Sequence, residues 1–177
     1  MKANLLLIPF LLLPLTVRAA EKIADVAPPA SQLGADWKRE TALLIEDLNA
    51  PPKPPTDRED GKAAAEALAF TLPLLKARKV AGAGNFIYEL TTGGKTATLD
   101  VYFYRFGSGA DAKEFWDKAP ARAGTPFAVG EAGQLAVSGG VKVLTFLRRN
   151  FYVKITVLGS DAGLDPLARA IDARLSK

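Results

Sequence analysis

The sequence predicts an α+β domain, an antiparallel sheet of about five strands with helices packed on one side. Three observations carry that expectation. A hairpin around Gly93-Gly94 pairs apolar residues with apolar residues along one face, three alternating runs separated by two-residue turns follow between Gln134 and Leu158, and apolar residues at helical spacing close the chain. Removing the first 19 of 177 residues leaves 158, enough for one domain to bury a core without covalent staples.

Those first residues read as a secretory leader. Lys2 precedes an apolar run from Leu5 to Val17, and Val17-Arg18-Ala19 gives a small-residue exit. The run is short and broken by Pro9 and Pro14, so it does not suit a bilayer span. Residues 1–19 are thus expected to be a signal peptide cleaved near Ala19 or Ala20, residues 20–34 a flexible tether bearing Pro28 and Pro29, and residues 35–177 a single domain. This places the protein in the periplasm or outside the cell. The absence of cysteine leaves no disulfide and no acylation site, so no stable membrane insertion is expected after cleavage.

Trp37, Thr41, Leu44, Ile45 and Leu48 recur at helical spacing, which predicts a helix over 36–48 with Asp36 as cap and Trp37 as core anchor. Four prolines between Pro51 and Pro55 and the Asp57–Asp60 charge cluster then read as an exposed loop. The alanine-rich stretch 61–72 is expected to be helical up to Pro73, with Lys76, Arg78 and Lys79 at the negative end of its dipole. Gly82 and Gly84 read as turn punctuation.

In the first hairpin, opposing Thr92 with Lys95 sets Leu90 against Ala97, Tyr88 against Leu99 and Phe86 against Val101. The other face then pairs Glu89 with Thr98, Ile87 with Asp100 and Asn85 with Tyr102. After Phe106, Ser108 and Asp111 resemble a capping pair for a helix whose Ala112, Phe115, Trp116 and Ala119 share one face, ending at Pro120. Gly130-Glu131-Ala132-Gly133 reads as a flexible connection. In the meander Leu135 opposes Leu144, Leu144 opposes Ile155 and Phe146 opposes Val153, if Arg149-Asn150 is a two-residue turn; a three-residue turn moves the core set to Val141, Val143 and Leu147. The last helix takes Asp165 as cap and Pro166 at its first position, with Leu164, Leu167, Ile171 and Leu175 inward and Arg169 and Arg174 outward.

The chain contains neither histidine nor cysteine, which removes serine-histidine triads, thiol nucleophiles and the usual zinc sites. No catalytic residue, metal site or cofactor is expected. Outside the leader 21 basic residues face 19 acidic ones with the signs interspersed, a balance that argues against nucleic acid as a partner. A carboxylate pair, Glu89 and Asp100 on the polar face of the hairpin, keeps a small glycan hydrolase as an alternative. The favoured expectation is a non-catalytic binding or scaffolding domain. Tyr102 and Tyr104 alternate with core residues and project from the second face, joined by Tyr152 and Lys154 from the last strand, so these four are the candidate binding residues for an envelope protein or a glycan. The competing expectation buries that face beneath the 36–48 helix or the alanine-rich segment. A structural subunit of an envelope complex is a further alternative.

The stretch Tyr102 to Ala112, then Val129-Gly130-Glu131-Ala132 and Phe146 to Ile155, resembles exported bacterial domains of unknown function, with a strand, a capped helix, a glycine turn and a final hairpin in that order. The resemblance covers about half the chain. It implies a bacterial envelope protein and brings no functional residue with it.

Overall fold

The computed structural model describes residues 21–50, 73–119 and 124–177. The leader, the proline-rich loop and the helix expected over 61–72 lie outside the described residues, as does Pro120. Among the described residues there are two short helical turns, α1 (Ile23–Val26) and α2 (Ala30–Leu33), then strands β1 (Trp37–Ile45), β2 (Val80–Thr92) and β3 (Lys95–Phe106). Helix α3 (Gly109–Lys118) leads to β4 (Thr125–Pro126), β5 (Ala132–Ser138), β6 (Val141–Arg148), β7 (Phe151–Leu158) and helix α4 (Leu164–Leu175).

One seven-stranded antiparallel sheet runs in the order β1-β2-β3-β7-β6-β5-β4, rather than the five or so strands expected. Two local meanders meet at the β3–β7 pairing, and the chain crosses from one to the other through α3. The hairpin pairs as the arithmetic of the Gly93-Gly94 turn requires, from Thr92 opposite Lys95 to Asn85 opposite Tyr102. Both glycines take positive φ, 57° and 75°, which is why the turn needs them. In the second meander the two-residue alternative holds: Arg148 opposes Phe151, Arg149 takes φ 56°, and Leu144 opposes both Leu135 and Ile155.

Residues 37–45 form an edge strand, not the expected helix. Trp37 pairs with Leu90 and Thr41 with Phe86, but a bulge at Ala42 shifts the register so that Leu43 meets Asn85 and Leu44 meets Gly84. Odd positions face one side before the bulge and even positions face it afterwards, so the strand loses the period-two signature and its apolar residues fall at helix-like intervals. Pairing with a long neighbour then outweighs local propensity.

The first face of the sheet carries the main core: Phe86, Tyr88, Leu99, Val101, Phe103, Phe146, Val153 and Ile155 under α4 and α1. Phe86 and Phe103 meet edge to face at 5.6 Å. Residues 21–34 are no loose tether here, because Ile23, Val26 and Ala27 are almost wholly buried in that core. Helices are not confined to one side either. On the second face α3 sets Ala112, Phe115 and Trp116 over Phe106, Tyr104, Tyr152 and Leu147.

Helix α3 begins as its sequence suggests, with the Ser108 hydroxyl accepting from the Asp111 amide at 3.1 Å. Helix α4 starts two residues early, with Gly163 at the N-cap position, and Asp165 instead accepts from Arg169 at 2.9 Å. Arg174, expected outward, turns back to the Asp25 carbonyl and the Gln32 side chain. Arg148 ties β6 to α4 through two bonds to Asp172, at 2.6 and 3.0 Å. That pairing, foremost, holds the Asp172 carboxyl below the ordinary carboxylate range. A depressed folded-state value means the stabilisation is present above the unfolded value near 4 and is lost as pH falls through the folded one. Asp172→Asn is therefore expected to unfold at lower urea than the parent at pH 7, with the difference shrinking below about pH 4; a gap that stays constant with pH would contradict the pairing.

Candidate functional site

The second face divides into a covered half and an open half. Cross-strand pairing lays the rows Ile45–Ala83–Tyr104–Tyr152–Leu147 and Leu43–Asn85–Tyr102–Lys154–Thr145 side by side, followed by Ile87–Asp100–Thr156–Val143. Helix α3 covers the first row; in the second Thr145 is buried while Leu43, Asn85, Tyr102 and Lys154 are half-buried, and the third row is half-buried throughout. Tyr152 is accordingly buried, with Phe115 at 5.0 Å and Trp116 at 6.0 Å between ring centroids, and burial pushes its phenol up to about 12. Tyr104 is half-buried, meeting Phe115 at 6.3 Å, and burial raises its phenol too. Among the described residues the covering element is thus α3; residues 37–45 are the edge strand of the sheet itself, and the alanine-rich segment lies outside the described residues.

Tyr102 and Lys154 sit at the boundary, directly opposite one another and both half-buried. The Lys154 ammonium lies 5.6 Å from the Tyr102 ring centroid, and the Tyr104 ring runs nearly parallel to that of Tyr102 at 6.4 Å and 8°. Burial, then the adjacent Asp100 carboxylate, raises the Tyr102 phenol. Asp100 itself accepts from the Asn85 side-chain amide. Among the described residues Lys154 forms no ion pair with a carboxylate, and its ammonium lies over the Tyr102 ring. The four residues expected to form one surface do share a face and touch in sequence, but Tyr152 belongs to the covered half and supports the surface from beneath.

Glu89 and Asp100 share this face without facing each other: Glu89 opposes Thr98, and Asp100 opposes Ile87. Asp100 is already engaged by Asn85, so the geometry does not converge two free carboxyls on one point. A separate cavity of about 320 Å³ lies between α3 and residues 77–79, lined by Arg78, Lys79, Asp111, Glu114, Phe115 and Lys118. Most of its charges pair: Lys79 reaches Asp111 at 2.9 Å and Glu114 at 3.2 Å, and Lys118 reaches Glu114 at 2.6 Å, while the Arg78 guanidinium lies 5.7 Å from the Phe115 ring centroid. Lys79 takes φ 61°, a left-handed conformation that these pairs help to hold. Sequence reading missed Thr145, the buried polar residue beside Tyr152; its β-branched, apolar surroundings gave no sign of burial on the face otherwise read as wet.

No family model matches the chain, and no curated protein matches it. Among solved structures it is similar to the extracellular domain of PknH from Mycobacterium tuberculosis, at 9% identity and a TM-score of 0.45, over 89% of this chain and 99% of that one. At that identity and score the likeness transfers no residue and no role. Among the described residues no helix is long and apolar enough to cross a membrane, and no three His, Cys, Asp or Glu side chains gather as a metal site would require.

Proposed function

We propose that the protein is an exported, non-catalytic binding domain that holds a protein partner of the bacterial envelope on the open half of its second sheet face. The leader-like first nineteen residues support export. The observation that carries the binding role is the boundary row itself: Tyr102 and Lys154, half-exposed, cross-braced and seated on the α3-covered aromatic cluster. A rigid aromatic platform with a polar fringe loses little conformational entropy on contact, which is the property that interface anchors share. A protein surface suits it better than a sugar, because the Tyr102 ring is already engaged by the Lys154 ammonium at 5.6 Å and by the near-parallel Tyr104 ring at 6.4 Å.

A photo-reactive amino acid at Thr156, within the open half, should give one dominant adduct in intact envelopes, whereas the same group at Lys95, on the hairpin tip, should not. Tyr102→Ala with Lys154→Ala should abolish the Thr156 adduct while leaving the thermal midpoint within a few degrees of the parent, as expected for half-exposed positions. Equal labelling from Lys95, or an adduct that survives the double substitution, would remove this reading.

A further inference from the structure

The amino-terminal segment is held like a peptide ligand, not like a strand. Residues 21–33 form no ladder; the body of the domain holds them through side chains aimed at their main chain. The Glu46 carboxylate accepts from the Ile23 and Ala24 amides, both at 2.9 Å. Arg39 donates to the Ala27 carbonyl at 2.9 Å, and the Tyr88 hydroxyl donates to the Pro28 carbonyl at 2.9 Å. Arg174 reaches the Asp25 carbonyl and Gln32, and Arg149 pairs with Glu21 at 3.0 Å. Two apolar anchors, Ile23 and Val26, fill the groove between the sheet and α4. The socket for Ile23 exists because Gly82 and Gly84 lack side chains: a Cβ on Gly84 would stand 2.7 Å from Ile23 Cγ2. Main-chain contacts plus two pockets are the recurring way in which grooves recognise extended or short helical peptides.

The link between this segment and the body is short and exposed. Gly34 ends α2 at φ 134°, Ala35 and Asp36 lie in solvent, and α2 has no side-chain cap fixing its start. We propose that the groove accepts this segment from a second copy of the chain as well as from its own, so that two molecules exchange residues 21–33 about Gly34 and form a dimer. Exchange replaces each contact by an identical one, so its free-energy cost is confined to the hinge and to association. The groove lies on the first face, so the proposal stands or falls independently of the binding role assigned to the second.

Deleting Gly34 and Ala35 shortens the connection by about 7 Å, too much for a segment to reach its own groove with α1 and α2 intact. The expected result by analytical ultracentrifugation is a doubling of mass, with folding retained. A shortened chain that stays folded and monomeric overturns the proposal. Should it not fold, a second measurement decides. The parent chain is free of cysteine, so mixing molecules carrying only Ile23→Cys with molecules carrying only Gly84→Cys reads exchange directly. An interchain disulfide that a synthetic peptide of residues 21–33 suppresses is the expected result. No interchain product, or an equal yield when Thr92→Cys replaces Gly84→Cys, overturns it.

Discussion

Gly130→Ala is expected to lower the free energy of unfolding by about 3 kcal/mol or more, a fall of roughly 10 °C in the thermal midpoint for a domain of this size. Two effects add. Gly130 takes φ 68°, where a non-glycine residue carries a strain of about 1–2 kcal/mol. A Cβ there would also collide with the Leu147 carbonyl oxygen and stand 3.1 Å from the Phe146 ring, and backbone cannot swing aside as a flexible side chain would. The neighbouring contacts make local yielding expensive: the Glu131 amide donates to that same Leu147 carbonyl at 2.8 Å, and the Glu131 carboxylate accepts from the Arg149 amide at 2.9 Å. Gly139→Ala separates the two effects. Gly139 takes a similar φ of 58° with nothing within 4 Å of a Cβ, so only the strain should appear there. Equal losses from the two alanines, measured by urea unfolding, would show that the close approach at Gly130 contributes nothing.

Gly130 also marks where the sequence stopped being informative. The glycines of the 130–133 connection read as flexibility, yet a Cβ on Gly133 would lie 2.5 Å from the Phe127 carbonyl oxygen, so both positions are close-approach sites. Nothing local distinguishes a glycine that bends the chain from one that lets another chain segment pass. The elements read correctly were those fixed by near neighbours: the Gly93-Gly94 register, the two-residue turn at Arg149-Asn150 and the Ser108 cap. The edge strand over 37–45 was misread because its bulge at Ala42 swaps the phase of alternation midway. Alternation did place Tyr102, Tyr104, Tyr152 and Lys154 on one face. It could not say that α3 would cover half of it, because Phe115 and Trp116 declare an apolar helix face without naming the surface they meet. The same limit hid the seating of Ile23, whose few apolar neighbours in sequence resemble those of any linker.

Gly84→Val isolates that seating. Valine favours strands over glycine, and β2 is a strand, so without a steric conflict the substitution would stabilise the protein by up to about 1 kcal/mol. The geometry reverses the sign. A Cβ at position 84 falls 2.7 Å from Ile23 Cγ2 and 3.1 Å from Phe86 Cε2, inside a socket where Ile23 has no exposed surface. Phe86 is pinned edge-on to Phe103, so Ile23 must yield, and with it the Glu46 and Tyr88 bonds that hold the segment. Losing the burial of Ile23 alone forfeits about 1.5–3 kcal/mol, so a net destabilisation of that order is expected in place of the propensity gain. Hydrogen exchange should then show the amides of Ile23 and Ala24 exposed while β3 and β7, at the centre of the sheet, stay protected. A double-mutant cycle with Ile23→Ala makes the cause specific, because truncating Ile23 removes the methyl groups that valine would strike. Valine at position 84 should cost far less in the Ile23→Ala background than in the parent. If the two substitutions simply add, the conflict lies elsewhere, and Gly84 is not the floor of the Ile23 socket.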